Sequence, residues 1–236
     1  MALDIYVGSF TRYYAGDWEN IVQQQARQAG TEVKAVAAIG ADEAIRDPEE
    51  IRPIVLEWRQ GIAAALKEGV KEPFDWDESK DVPYFTNRLG MGALSSLRLW
   101  AAYAEHADLQ RPSAYVAEPA KDPAYLRSIQ PEFESAYSQL VRDVEIWLPW
   151  DFPFTFRAPT PSEEKVGLGS APALLRQLEA LNAKTWQATE DTLAQWRKEG
   201  ADAEASLEAG ARHAFAVLHE LSRRANEHRS MLRLNY

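Results

Sequence analysis

The chain predicts a mainly α protein of the α+β kind. It reads as a helical domain with a C-terminal antiparallel helix hairpin and a small antiparallel or mixed sheet from residues near 3–10, 144–148 and 152–156. Three observations carry this. Leu207, Ala211, Ala214, Leu218, Leu221 and Ala225 recur at spacings of four and three, the signature of one buried helical stripe. Leu3, Ile5 and Val7 alternate, the signature of a strand. Between helical stretches lie three aromatic clusters, holding 14 of the chain's 25 aromatics, at places where helical periodicity lapses.

Residues 3–10 are the first strand. Asp17 is placed to cap a short helix that runs to about Ala29 and stops at Gly30. Residues 31–39 fit strand and helix equally. Asp47-Pro48-Glu49-Glu50 starts a helix with a cap, a proline in its first turn and early acidic residues. Ile51, Val55, Trp58, Ile62 and Leu66 then mark its inner face, and Gly69 is a stop. Residues 71–86 are a charged aromatic loop. The next helix is expected from about Asn87 to Ala107, with Gly90 and Gly92 inside it, each costing about 1 kcal/mol relative to Ala. Close approach by a neighbour would offset that cost.

Asp122-Pro123 opens another helix, which Pro131 interrupts. Residues 144–148 and 152–156 read as two short strands, the second an edge strand because Pro153 has no N–H for a ladder. Residues 157–170 read as a long internal connection within a single domain spanning 1–236. Ser170 then caps a helix whose stripe, from Leu175 and Leu178 through Trp186 to Leu193 and Trp196, extends to Gly200. Asp202 is placed to cap the final helix.

Composition narrows the function classes. The chain has no cysteine, which removes disulfides, thiol nucleophiles and Cys-bound zinc. No cationic residue precedes an apolar stretch at the N-terminus and no run of 18 apolar residues occurs, so a cytoplasmic protein without a membrane partner is expected. With 26 Lys and Arg against 36 Asp and Glu, the net charge of −10 repels nucleic acid and favours a basic protein partner.

Catalytic motifs are missing. Gly167-Leu168-Gly169-Ser170 lacks the remaining elements of a dinucleotide or phosphate loop and reads as a turn and a cap. Asp75, Asp77, Ser79 and Asp81 follow the opening spacing of a calcium loop. Lys80 stands where the turn glycine belongs, however, and Thr86 where the bidentate Glu belongs. The four histidines form no paired metal motif. No metal and no cofactor is expected.

The candidate binding residues are those aromatics that sit in charged loops: Arg12, Tyr13, Tyr14, Asp17 and Trp18 in one segment, and Asp75, Trp76, Asp77 and Tyr84 in another. Aromatics beside opposite charges are typical of binding surfaces. Two readings follow: a soluble intracellular interaction protein that engages a basic partner, or a small-molecule enzyme using carboxylates with or without a divalent metal. Both place the site where the two loops meet.

Overall fold

A computed structural model describes residues 2–30, 46–66, 75–200 and 206–236. The expectations at 31–39, Gly69, the first four residues of the 71–86 loop and Asp202 lie outside those residues. The architecture is α+β, built on a six-stranded mixed sheet. This corrects the expectation of a mainly α protein with a small sheet. The strands are β1 (Ala2–Gly8), β2 (Phe85–Gly90), β3 (Ile146–Leu148), β4 (Phe156–Pro159), β5 (Lys165–Ser170) and β6 (Met231–Asn235). Their order is β2-β1-β6-β3-β5-β4, antiparallel throughout except between β3 and β5. The described helices are α1 (Phe10–Ala15), α2 (Ile21–Gln28), α3 (Pro48–Ala65), α4 (Met91–Glu105), α5 (Pro123–Ser128), α6 (Ser138–Val141), α7 (Ala171–Lys184), α8 (Glu190–Glu199) and α9 (Leu207–Glu227).

The sheet is larger than expected for identifiable reasons. The strand at the N-terminus ends at Gly8, and Ser9 turns the chain into α1 by accepting the Arg12 N–H. Of residues 152–156 only Phe156 is in a strand, the start of β4: Pro153 offers no ladder donor, and the Phe152, Phe154 and Phe156 rings gather 5.0–6.0 Å apart. Phe85–Gly90, expected as loop and helix, pairs with β1 through six residues. Gly90 is therefore the N-cap of α4, and Gly92 in its first turn lies against the Tyr115 ring. Residues 157–170, expected as a connection, form the β4–β5 hairpin. A Cβ on Gly167 would lie 1.7 Å from the backbone oxygen of Asp143, and one on Gly169 would lie 2.2 Å from Gln139 Oε1. These glycines admit a close backbone approach and form no ligand loop.

The sheet is buried on both faces. Leu3, Ile5, Val7, Leu89, Trp147, Leu232 and Leu234 join the inner faces of α4, α7 and α9 in one core. All six stripe residues of α9 are buried there, as their spacing predicts. The helix expected from Ser170 to Gly200 breaks after Lys184. Asn182 hydrogen bonds both the N–H and the carbonyl of Ala188, Gln187 takes φ 51°, and Thr189 caps α8. The hairpin is thus a three-helix unit, with α9 packed on α4, α7 and α8. The opposite face of the sheet carries Tyr6, Ile146, Leu148, Val166, Leu168 and Met231 beneath a second, aromatic core.

Gly167→Ala should destabilise the protein by about 3 kcal/mol or more, because the clash is with backbone. Gly16→Ala, at φ 72° with open space around it, should cost only about 1 kcal/mol. Thermal unfolding of the pair checks this.

Burial holds the His106 and His219 imidazoles below their ordinary value of 6.5, against the pull of nearby carboxylates. A base held down in the folded state contributes stability that is complete above 6.5 and is lost as pH falls toward the folded value. The unfolding midpoint should therefore decline below pH 6.5, and His106→Asn with His219→Gln should flatten that part of the profile relative to the parent protein.

Candidate functional site

The two loop segments singled out in the sequence do meet, and they meet on the aromatic face of the sheet. Tyr13 stacks on Trp18 at 5.6 Å, and Tyr6 lies 5.1 Å from Trp18 and 6.2 Å from Tyr84. Phe10 bridges Trp58 of α3 at 4.8 Å and Trp76 at 6.1 Å. Trp150, Phe152, Phe154 and Phe156 complete the layer. Parts of all three aromatic clusters therefore converge into one packed layer between the sheet and its outer cover of α1, α3 and residues 75–84, while Trp147 and Phe85 pack on the helical side.

Three charged groups fix this cover. Glu78 is buried at 2 % exposure and accepts from the backbone N–H groups of Phe10 (3.3 Å) and Thr11 (2.8 Å), the first turn of α1, and from Trp76 Nε1 (2.6 Å). Burial pushes its carboxyl up while these three donors pull it down, and burial prevails. Arg12 donates to the Val82 carbonyl at 2.7 Å and to the Lys80 carbonyl, pairs with Asp17 at 3.1 Å, and lies 5.2 Å from the centre of the Tyr84 ring. Arg233 enters from β6, donating to Tyr14 Oη (2.7 Å) and pairing with Glu164 (3.0 Å), with its guanidinium 4.5 Å from the centre of the Tyr13 ring. Tyr13 donates to Asn235 Oδ1 at 2.9 Å, and burial pushes its phenol well up.

The candidate residues therefore divide. Tyr13 and Trp76 are buried, and Tyr14, Trp18 and Tyr84 are half-buried. Asp17 pairs with Arg12 and caps no helix; Asn20 caps α2 through a reciprocal bond with Gln23. Asp75 (77 % exposed) pairs with Arg59, which also donates to the Trp76 carbonyl and so ties α3 to the loop. Asp77 accepts from Ser79 in a local turn. Among the described residues no group of three His, Asp or Glu stands within common reach of a metal ion.

What sequence reasoning missed is α3. Its inner face, Ile51, Val55 and Ile62, is buried in the aromatic core, while Glu49, Glu50 and Glu57 are exposed. Together with Asp77 and Asp81 these carboxylates carry no ion pair among the described residues. Across residues 10–30, 46–66 and 75–84 there are ten acidic residues and six basic ones, so these 52 residues carry −4. That is about twice the chain's average density of −10 over 236. Arg52 and Lys80 are exposed cations of this cover, but Arg12 and Arg59 are drawn inward to carbonyls and carboxylates. Helix capping and the first-turn glutamates were legible in the sequence; which carboxylates would lack a counterion was not, because that depends on where the arginines fold.

Glu78→Ala leaves three N–H donors without an acceptor. It should cost about 3 kcal/mol, with a fall in melting temperature of roughly 6–12 °C for a chain of this size. Glu78→Gln, which keeps one acceptor oxygen, should fall between the two. Near-ultraviolet circular dichroism should report the loosened tryptophans.

Among the described residues no helix is long and apolar enough to cross a membrane. Comparison with curated proteins and with solved structures yields no significant match. Residues 1–234 match the family described as "Putative DNA-mimic protein", and with nearly the whole length aligned the chain belongs to that family.

Proposed function

We propose that this protein binds the DNA-contacting face of a DNA-binding protein by presenting carboxylates where that face expects phosphates. The family assignment supports a protein-interaction role. It also corrects the charge argument made from composition, which set nucleic acid wholly aside: a chain of this family relates to nucleic acid by standing in its place. The observation that carries the reading is the outer cover of the aromatic layer. There Glu49, Glu50, Glu57, Asp77 and Asp81 are exposed without ion pairs among the described residues, while Arg12 and Arg59 are turned inward.

The physical logic is that of DNA recognition inverted. A DNA-binding surface gains affinity from many phosphate contacts and from release of condensed counterions. A protein with outward carboxylates meets such a surface with complementary potential, which steers encounter and gives an association that weakens with salt. Because α3 and the 75–84 loop are locked by Glu78, Arg12 and Arg59, the charges stand on a rigid support. Little conformational entropy is then lost on binding.

Partners captured on the immobilised protein from nuclease-treated extract should be released by double-stranded DNA. Neutralising the cover (Glu49→Gln, Glu50→Gln, Glu57→Gln, Asp77→Asn, Asp81→Asn) should weaken a purified partner by at least about tenfold, about 1.4 kcal/mol. Melting temperature should change little, since these side chains are exposed and their contacts are local, Asp77 to Ser79 of its own turn and Glu49 and Glu50 at the start of α3. Capture that is indifferent to duplex DNA and to neutralisation would sink the proposal.

A further inference from the structure

A second feature lies on the other side of the sheet, in the helical layer, and has the opposite electrostatic character. A cavity of about 500 Å³ opens where α4, the α7–α8 turn, α8 and α9 come together. Its walls include three indoles. Trp100 of α4 stacks on Trp186 of the turn at 5.0 Å and 14°, and Trp196 of α8 meets Trp186 edge-on at 5.6 Å. Around them stand Arg111, Lys184 and Arg212. Arg111 lies over the Trp100 ring with its guanidinium carbon 3.5 Å from the centroid, and Arg212 lies 5.2 Å from the centre of the Trp196 ring. The one carboxylate in the lining, Glu208, is already paired with Arg212 at 2.5 Å.

The lining is therefore a surplus of donors. Arg111 and Lys184 have no carboxylate partner among the described residues. Trp100 Nε1 and Trp186 Nε1 are buried with no hydrogen-bond acceptor, as is Arg212 Nε. In a chain of net charge −10, two cations without a carboxylate partner among the described residues, beside three indoles, are contrary to the general charge balance. The volume is within the range of small-molecule sites and larger than an inorganic anion needs.

From this chemistry we infer that the cavity binds a planar heteroaromatic anion of the nucleoside monophosphate class. The anionic group meets Arg111 and Lys184. The ring packs against the indoles of the wall. A simple aryl carboxylate would satisfy the cations but leave most of the cavity unfilled. This inference is independent of the carboxylate face, which lies across the sheet.

Tryptophan fluorescence and titration calorimetry with AMP and UMP test it, with adenosine, inorganic phosphate and a 5′-phosphorylated hexanucleotide as further probes. The mononucleotides should quench saturably, and adenosine and phosphate alone should bind at least about tenfold more weakly. Arg111→Gln with Lys184→Ala, both at the cavity mouth, should weaken AMP by at least about tenfold with the melting temperature unchanged. A hexanucleotide that binds more tightly than AMP assigns the site to strand ends, and one that binds equally or less tightly assigns it to free nucleotides. No saturable signal with any phosphate up to about 5 mM, where binding would be worth less than about 4 kcal/mol, overturns the inference. So does equal binding by the double variant.

Discussion

The whole structure depends on five residues at its end. Strand β6, Met231–Asn235, inserts between β1 and β3, antiparallel to both. Without it, β2–β1 and β3–β5–β4 are two separate small sheets. With it, the chain's first and last strands lie side by side in the middle of one sheet that can support a layer on each face. The side chains of β6 serve both layers at once, as strand alternation requires. Leu232 and Leu234 enter the helical core, while Met231, Arg233 and Asn235 point into the aromatic one. Pairing of this kind joins residues more than 220 positions apart, and such non-local contacts form slowly because the loop they close costs entropy first.

The aromatic layer shows how buried polar groups specify an arrangement that apolar packing alone would leave loose. Aromatic rings can repack against one another in several ways at similar energy. Here Glu78 fixes Trp76 against the start of α1, Tyr13 is held by Asn235, and Tyr14 is held by Arg233. Each of these groups joins segments far apart in sequence. Arg233 and Glu78 are individually costly to bury, and they persist because each is met by several partners. The result is a cover whose outer surface is fixed by bonds made underneath it.

Local signals in the sequence translated well. The α9 stripe, the Asp47-Pro48 start of α3, the Asp122-Pro123 start of α5 and the Ser170 cap of α7 all stand where their chemistry puts them. The sheet was the failure, and for one reason. Strands β2, β5 and β6 are short and contain Arg, Asn, Lys or Gly. What makes β2 and β6 strands is pairing with residues about 80 to 230 positions away, which no local period reveals, while β5 pairs with β3 and with β4 across a hairpin. The two glycines of β5 looked like a loop because closeness to Asp143 and Gln139 is visible only in three dimensions. The convergence of the two charged loops was legible, since both interrupt helices with aromatics beside charges. The acidic face of α3 was hidden by being an ordinary amphipathic helix.

Acidity by itself does not make a surface resemble DNA. A duplex carries one charge per about 1.7 Å of axis, held on a stiff frame. Where lysines and arginines pair with the surface carboxylates of an acidic protein, the local potential is small, because the paired ions offset one another at close range. What distinguishes the outer cover is the fate of its cations. Arg12 spends its guanidinium on the Val82 and Lys80 carbonyls and Arg59 on Trp76 and Asp75, so both are consumed in holding the cover together. On α3, Glu50 and Glu57 are seven residues apart, two helical turns and about 10.5 Å along the axis, on the same side of the helix. The internal bonds that stabilise the layer are thus the same ones that withdraw positive charge from its surface, so the stability of the cover and the unpaired charge it presents have one cause.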